Sequence, residues 1–126
     1  MRALADTSLF IGREQGRAPR GDVPDELVVS VITIAELRLG VLMASTLEAR
    51  SHRLDTLHVV ESLEPLVVDD DVAASWARLV ASLRAAGRKA PINDSWIAAT
   101  ALAHGLPVAT LDADYDVVPD LTVIRL

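Results

Sequence analysis

The chain has 126 residues, 51% of them hydrophobic, which is enough for one compact core. It contains no cysteine, so a disulfide framework and a thiolate metal site are excluded, and its formal net charge of -6 argues against non-specific binding to polyanions. The start, Met1-Arg2-Ala3-Leu4-Ala5-Asp6, lacks the apolar stretch of a signal peptide, and no run approaches a membrane span. A soluble cytoplasmic protein with no membrane partner is expected, with one domain over residues 1–126.

Residues 2–5 read as a first strand, followed by a helix from Thr7 that runs out between Gly12 and Gly16. Two prolines and Gly21 mark residues 17–25 as a loop. Leu27 to Ser30 resumes as an apolar strand, and Val31 to Leu42 reads as a helix with apolar residues on most sides. Thr33, Glu36 and Gly40 share one of its faces, leaving Glu36 as the single acid on an apolar segment. A more polar helix follows over residues 46–62, then a strand over 66–68 opened by Pro65.

Asp69, Asp70 and Asp71 precede a periodic helix carrying Val72, Trp76, Leu79, Val80 and Leu83, which Gly87 stops. These three aspartates are a cap plus acids in a first helical turn, and Trp76 and Trp96 stand at core spacing. The segment from Asp94 to His104 reads as a helix buried on most sides. Gly105 and Pro107 lead into a strand over 108–110, a turn, and a last strand over 121–126. This alternation predicts an α/β fold, a mainly parallel central sheet with helices on both faces.

In an open α/β sheet, strand ends gather at one edge and bring distant residues into one pocket. Acids recur at such positions in Asp6-Thr7-Ser8, Thr33-Ile34-Ala35-Glu36, Asn93-Asp94-Ser95-Trp96 and Thr110-Leu111-Asp112-Ala113-Asp114. Taken singly, Asp6 and Asp94 read equally well as helix caps, and Asp112 and Asp114 as turn residues. Clustered, they would repel one another and raise each other's pKa values unless a cation lay between them. An oxygen-only donor set suits a hard divalent ion such as Mg²⁺ or Mn²⁺.

These motifs, in this order and over essentially the whole length, resemble the VapC-type PIN-domain ribonucleases, the toxins of bacterial type II toxin–antitoxin modules. The resemblance rests on the early Asp-Thr-Ser, the Thr-x-x-Glu helix, Asn-Asp-x-x-Ile-Ala-Ala from Asn93 to Ala99, and Thr-x-Asp-x-Asp-Tyr from Thr110 to Tyr115. It implies a PIN-like fold and Asp6, Glu36, Asp94 and Asp112 as the catalytic acids around Mg²⁺ or Mn²⁺, with Asp114 as a fifth ligand. Thr7, Ser8 and Thr110 would hold carboxylates or waters around them. It further implies hydrolysis of an RNA phosphodiester, a VapB-type antitoxin that covers the site, and a homodimer for which residues 31–62 offer apolar surface. The basic residues Arg13, Arg17, Arg88 and Lys89 supply a rim for RNA.

Two other classes fit parts of the pattern. A phosphoacceptor receiver module also holds Mg²⁺ in an acidic pocket, but it pairs adjacent acids after the first strand and places a lysine after a late strand, whereas Lys89 is the sole lysine here. A non-catalytic protein-binding domain is supported only by the acidic surface.

Overall fold

The computed structural model describes residues 1–126. Four strands, β1 (Arg2–Ala5), β2 (Glu26–Val28), β3 (Val108–Thr110) and β4 (Val123–Arg125), form a sheet of order β2-β1-β3-β4. Every pairing is parallel, with Leu4 opposite both Val28 and Val108, and Ala109 opposite Ile124. Five α-helices connect and cover it: α1 (Thr7–Glu14), α2 (Val31–Leu42), α3 (Leu47–Glu61), α4 (Asp70–Ala85) and α5 (Ile92–Ala103).

The period-two alternation of β1 divides the core. Leu4 points into one cluster with Val28 and Val108, where α4 supplies Leu79 and Leu83, and α5 supplies Ile97, Ala98 and Ala101. Ala5 points to the other side, against Phe10 of α1, Leu37 of α2, and Leu57 and Val60 of α3. Helices therefore lie on both faces, as expected for a parallel sheet, and the β1 and β3 carboxyl ends are left to carry polar groups.

Caps fix the helix starts. Ser30 Oγ accepts from the Ile32 amide, Thr46 Oγ1 from Ala49 and Asp69 Oδ1 from Val72, so Asp69 is the cap its position suggested. Gly87, at φ +66°, ends α4 in the left-handed region that a glycine enters without strain. Gly12 serves close approach instead: a Cβ there would stand 2.5 Å from Leu111 Cδ1, so the bare backbone lets α1 press against the end of β3.

Several boundaries differ from those read off the sequence. The strand expected over 66–68 is a single bridge, Ser30 to Leu66: Leu66 donates its amide to the Val29 carbonyl, while Val67 and Val68 are exposed and Asp69 already caps α4. The second strand begins one residue earlier and ends at Val28, because the Ser30 side chain turns to capping. The last strand is shortened to Val123–Arg125, and the turn before it contains a 3₁₀ helix over Asp114–Val117. Helix α5 starts at Ile92 rather than Asp94, because the Pro91 carbonyl accepts from the Ser95 amide and makes the first turn two residues sooner. Nor is α2 buried on most sides: only Thr33 and Leu37 are buried along it, and Leu39 and Leu42 face outward at 59% and 77% exposure.

Candidate active site

Asp6 leaves the carboxyl end of β1 and is only 3% exposed. It occupies the cap position of α1 but makes no capping hydrogen bond with its side chain, so the capping role open to it in the sequence is not the one it takes. Its carboxylate instead accepts from two hydroxyls, Ser8 Oγ to Oδ1 at 2.6 Å and Thr110 Oγ1 to Oδ2 at 3.0 Å. Each hydroxyl has one hydrogen, and each is spent on Asp6. Their remaining lone pairs then accept, Ser8 Oγ from the Leu111 amide at 3.0 Å and Thr110 Oγ1 from the Asp112 amide at 2.9 Å. Residues from β1, α1 and the end of β3 are thus locked into one polar unit.

Glu36 reaches the same edge from the second turn of α2, where it is half-buried. Thr7 Oγ1 donates to Glu36 Oε1 at 2.7 Å, so the 3.0 Å contact between Thr7 and the buried Thr33 requires Thr33 to be the donor. Asp94 lies in the first turn of α5, a place where the helix amino terminus favours negative charge by about 0.3–1 kcal/mol, and it accepts from Tyr115 at 3.3 Å. Asp112 and Asp114 follow β3 in the turn that carries Tyr115.

The acids sense one another. Burial pushes the Asp6 carboxyl up to about 6 against the lowering effect of its two hydroxyl donors, with the Asp112 charge adding to the rise. Asp94 is also raised to about 6, first by burial and then by the charges of Asp114, Asp6 and Glu36. Burial and the same acidic surroundings hold the Tyr115 phenol well above its ordinary range, so it stays a donor. All five sequence-derived acids therefore enter one electrostatic neighbourhood. Thr7, Ser8 and Thr110 are the hydroxyls that position two of them.

The donor set fits a hard divalent cation. It is all oxygen and it is anionic, and the burial and neighbouring charges that raise Asp6 and Asp94 are a penalty that a cation would relieve. As the side chains are oriented, no three of them stand close enough to hold one ion between them. Asp6, Glu36 and Asp94 instead point at hydroxyl donors that satisfy them singly.

The basic residues are placed less tightly. Arg13 and Arg17 line a groove beside Leu111, next to Asp112, while Arg88 and Lys89 lie in the turn before α5. None of the four is in an ion pair. Two residues of the neighbourhood stand in the sequence motifs without a site role assigned to them there. Tyr115 sits between acids in a turn and Thr33 on the Glu36 face of α2, and both are fully buried. The Asp-Tyr pair after Thr-x-Asp and the Thr-x-x-Glu spacing set both beside the acids in sequence, but their partners, Asp94 and Thr7, are fixed only by the fold.

Thr110→Val tests the polar unit. Valine matches the shape but leaves the Asp112 amide unpaired and strips a donor from buried Asp6, so a loss of about 1–3 kcal/mol in denaturant unfolding is expected, with the Asp6 pKa rising further. Unchanged stability would mean that water replaces the threonine hydroxyl without cost.

A parallel α/β sheet whose carboxyl edge gathers carboxylates held by hydroxyls defines a class of acidic-pocket domains, and the comparisons narrow it. The PIN domain family matches residues 3–121. Ribonuclease VapC4 of Mycobacterium tuberculosis is 53% identical over 126 residues, covering 99% of this chain and 97% of that one, and Ribonuclease VapC5 of the same organism is 49% identical over 113 residues, covering 89% and 84%. A crystal structure of VapBC-5, a member of the VapBC family of toxin-antitoxin systems from Mycobacterium tuberculosis, superposes with a TM-score of 0.88 at 41% identity, covering 99% of this chain and 98% of that one. The chain belongs to the PIN-domain family, in its VapC branch. The receiver-module reading falls with that result. No helix is long and apolar enough to cross a membrane.

Proposed function

We propose that the chain is a cytoplasmic, divalent-metal-dependent endoribonuclease that hydrolyses RNA phosphodiester bonds as the toxin of a toxin–antitoxin pair, with a VapB-type antitoxin as partner. Residues 1–126 form its single domain. The observation that carries this reading is the coupling of Asp94 to Asp114, Asp6 and Glu36, together with that of Asp6 to Asp112, at the carboxyl edge of a parallel sheet. Membership of a family whose similar relatives are named ribonucleases supplies the reaction class.

Asp6, Glu36, Asp94 and Asp112 would hold Mg²⁺ or Mn²⁺, with Asp114 at the margin. An ion held by these residues would supply an acidified water and an offset to the charge on the phosphate oxygens, chemistry that calls for no histidine or lysine base. The protein's own contribution is preorganisation. Ser8 and Thr110 fix both oxygens of Asp6, Thr7 aims Glu36, and Tyr115 aims Asp94. At neutral pH Asp6 and Asp94 are mostly ionised and ready to ligate, and protonation withdraws them below about pH 6. Arg13 and Arg17 on one side and Arg88 and Lys89 on the other are assigned to RNA phosphates. The outward-facing Leu39, Leu42, Met43 and Leu47 form an apolar patch on α2 and the start of α3, where we place the partner of a homodimer.

Purified protein freed of any partner is expected to cleave single-stranded or looped RNA in Mg²⁺ or Mn²⁺, to stop in excess chelator, and to resume when the ion is restored. Cleavage that persists in chelator would contradict metal dependence and point to a contaminating nuclease.

A further inference from the structure

A cleft of about 450 Å³ opens at the corner between α4 and α5, with Trp76, Leu83, Arg84, Arg88, Lys89 and Ser95 among its lining residues. In a chain of net charge -6, all of its charged lining residues are cations, and none of them is engaged in an ion pair. A local field of this sign within an acidic protein marks a place for an anion.

The aromatic wall of the cleft is rigid. The Trp76 indole stacks on Trp96 with ring centroids 4.5 Å apart and planes 7° from parallel, and its Nε1 donates to Ser95 Oγ at 3.0 Å. The Ser95 hydroxyl donates in turn to the Ile92 carbonyl, so the indole is tied to the first turn of α5. A ring held this way loses little freedom when a ligand packs on it. Ser95 is the next residue after Asp94, so the cleft and the acidic pocket share one helical turn.

We propose that this cleft binds a nucleotide of the substrate RNA flanking the scissile phosphate, its phosphate on Arg84, Arg88 and Lys89 and its base against the Trp76 indole. The inference rests on the ribonuclease reading and extends it from the reacting phosphate to a second contact along the strand. An acidic peptide would use the cations but has nothing flat to set on the indole. Single-stranded RNA presents an anion and a π-face at each repeat, the combination the cleft offers. A groove that takes phosphates and any flat base also suits a chain with so few aromatic residues for reading sequence.

Trp76 and Trp96 are the only tryptophans, so intrinsic emission reports directly on the cleft. The test titrates a mixed-sequence single-stranded RNA decamer into the cleavage-inactive Asp6→Asn protein in chelator, with and without Arg84→Ala plus Arg88→Ala. Both arginines are exposed, so the double change leaves the fold intact. The expected results are quenched tryptophan emission, binding weakened at least about tenfold by the double change, and a log–log salt slope shallower by about 0.7, the value for one lost phosphate contact on a single strand. Equal affinity and equal slope in the two proteins would overturn the cleft assignment even if the parent cleaves RNA. Quenching by an octaglutamate peptide but not by the decamer would overturn it in favour of a protein ligand. Binding through the cleft by a parent that cleaves no RNA would uphold the assignment while removing the ribonuclease reading, so the two fail separately.

Discussion

Asp6→Asn and Asp94→Asn are each expected to lower RNA cleavage by roughly a thousandfold, because each removes an anionic oxygen from a site that depends on a cation for several kcal/mol of transition-state stabilisation. The amide keeps the size of the side chain. At position 6 its oxygen can still accept from Ser8 or Thr110, and at position 94 from Tyr115, so circular dichroism should stay native-like and unfolding cooperative. Glu36→Gln should follow the same pattern, since Thr7 can donate to an amide oxygen as well as to a carboxylate. Cleavage at the parent rate by both aspartate variants would remove these acids from the reaction and return them to structural roles.

Stability should fall as pH rises in metal-free buffer, the reverse of the usual carboxylate behaviour. Asp6 and Asp94 each titrate near 6 in the folded chain against 3.8 as the ordinary value, so between those limits the folded state binds more protons than the unfolded one. Under linkage, unfolding free energy then decreases with pH across that window. Asp6 alone accounts for a loss of about 3 kcal/mol between pH 4 and neutrality, on the order of 10 °C in Tm. Mg²⁺ at pH 7.5 should restore most of it by binding the folded state, and Asp94→Asn should melt higher than the parent in chelator but gain less from the ion. Scanning calorimetry at pH 5 and pH 7.5, with chelator or with Mg²⁺, reads all four conditions. A metal-free Tm that rises between those two pH values, or equal Mg²⁺ shifts in parent and variant, would contradict repulsion among these acids.

Much of this arrangement is legible before folding because it is written in local signals. Gly87, Gly105 and Pro107 punctuate helices, Thr46 and Asp69 announce starts, and each acid sits within a short motif at a strand end or on a helix. Asp94 was assigned to the right helix but the wrong register. Asp94 looked like the opening cap, whereas the Pro91 carbonyl starts the helix and leaves Asp94 within the first turn, where it accepts from Tyr115. The apolar run of α2 misled in another way, since composition cannot separate a buried stripe from an exposed one, and Leu39 and Leu42 proved to be outside. Pairings that depend on long-range closure were unreadable. Thr33 is tied to Thr7 across 26 residues and Thr110 to Asp6 across 104, contacts that exist only because α2 packs on α1 and β3 on β1.

Divalent-ion binding by this carboxylate cluster underlies both the cleavage losses and the Mg²⁺ shifts expected above. Titration of Mn²⁺ into the parent and into Asp94→Asn, followed by the loss of the free-ion electron paramagnetic resonance signal, measures that binding without reference to activity. The parent should take up Mn²⁺ saturably, more tightly at pH 7.5 than at pH 5 as Asp6 and Asp94 lose their protons, and the variant should bind at least about tenfold more weakly. Equal uptake by the two proteins at both pH values would place the ion elsewhere and contradict the assignment.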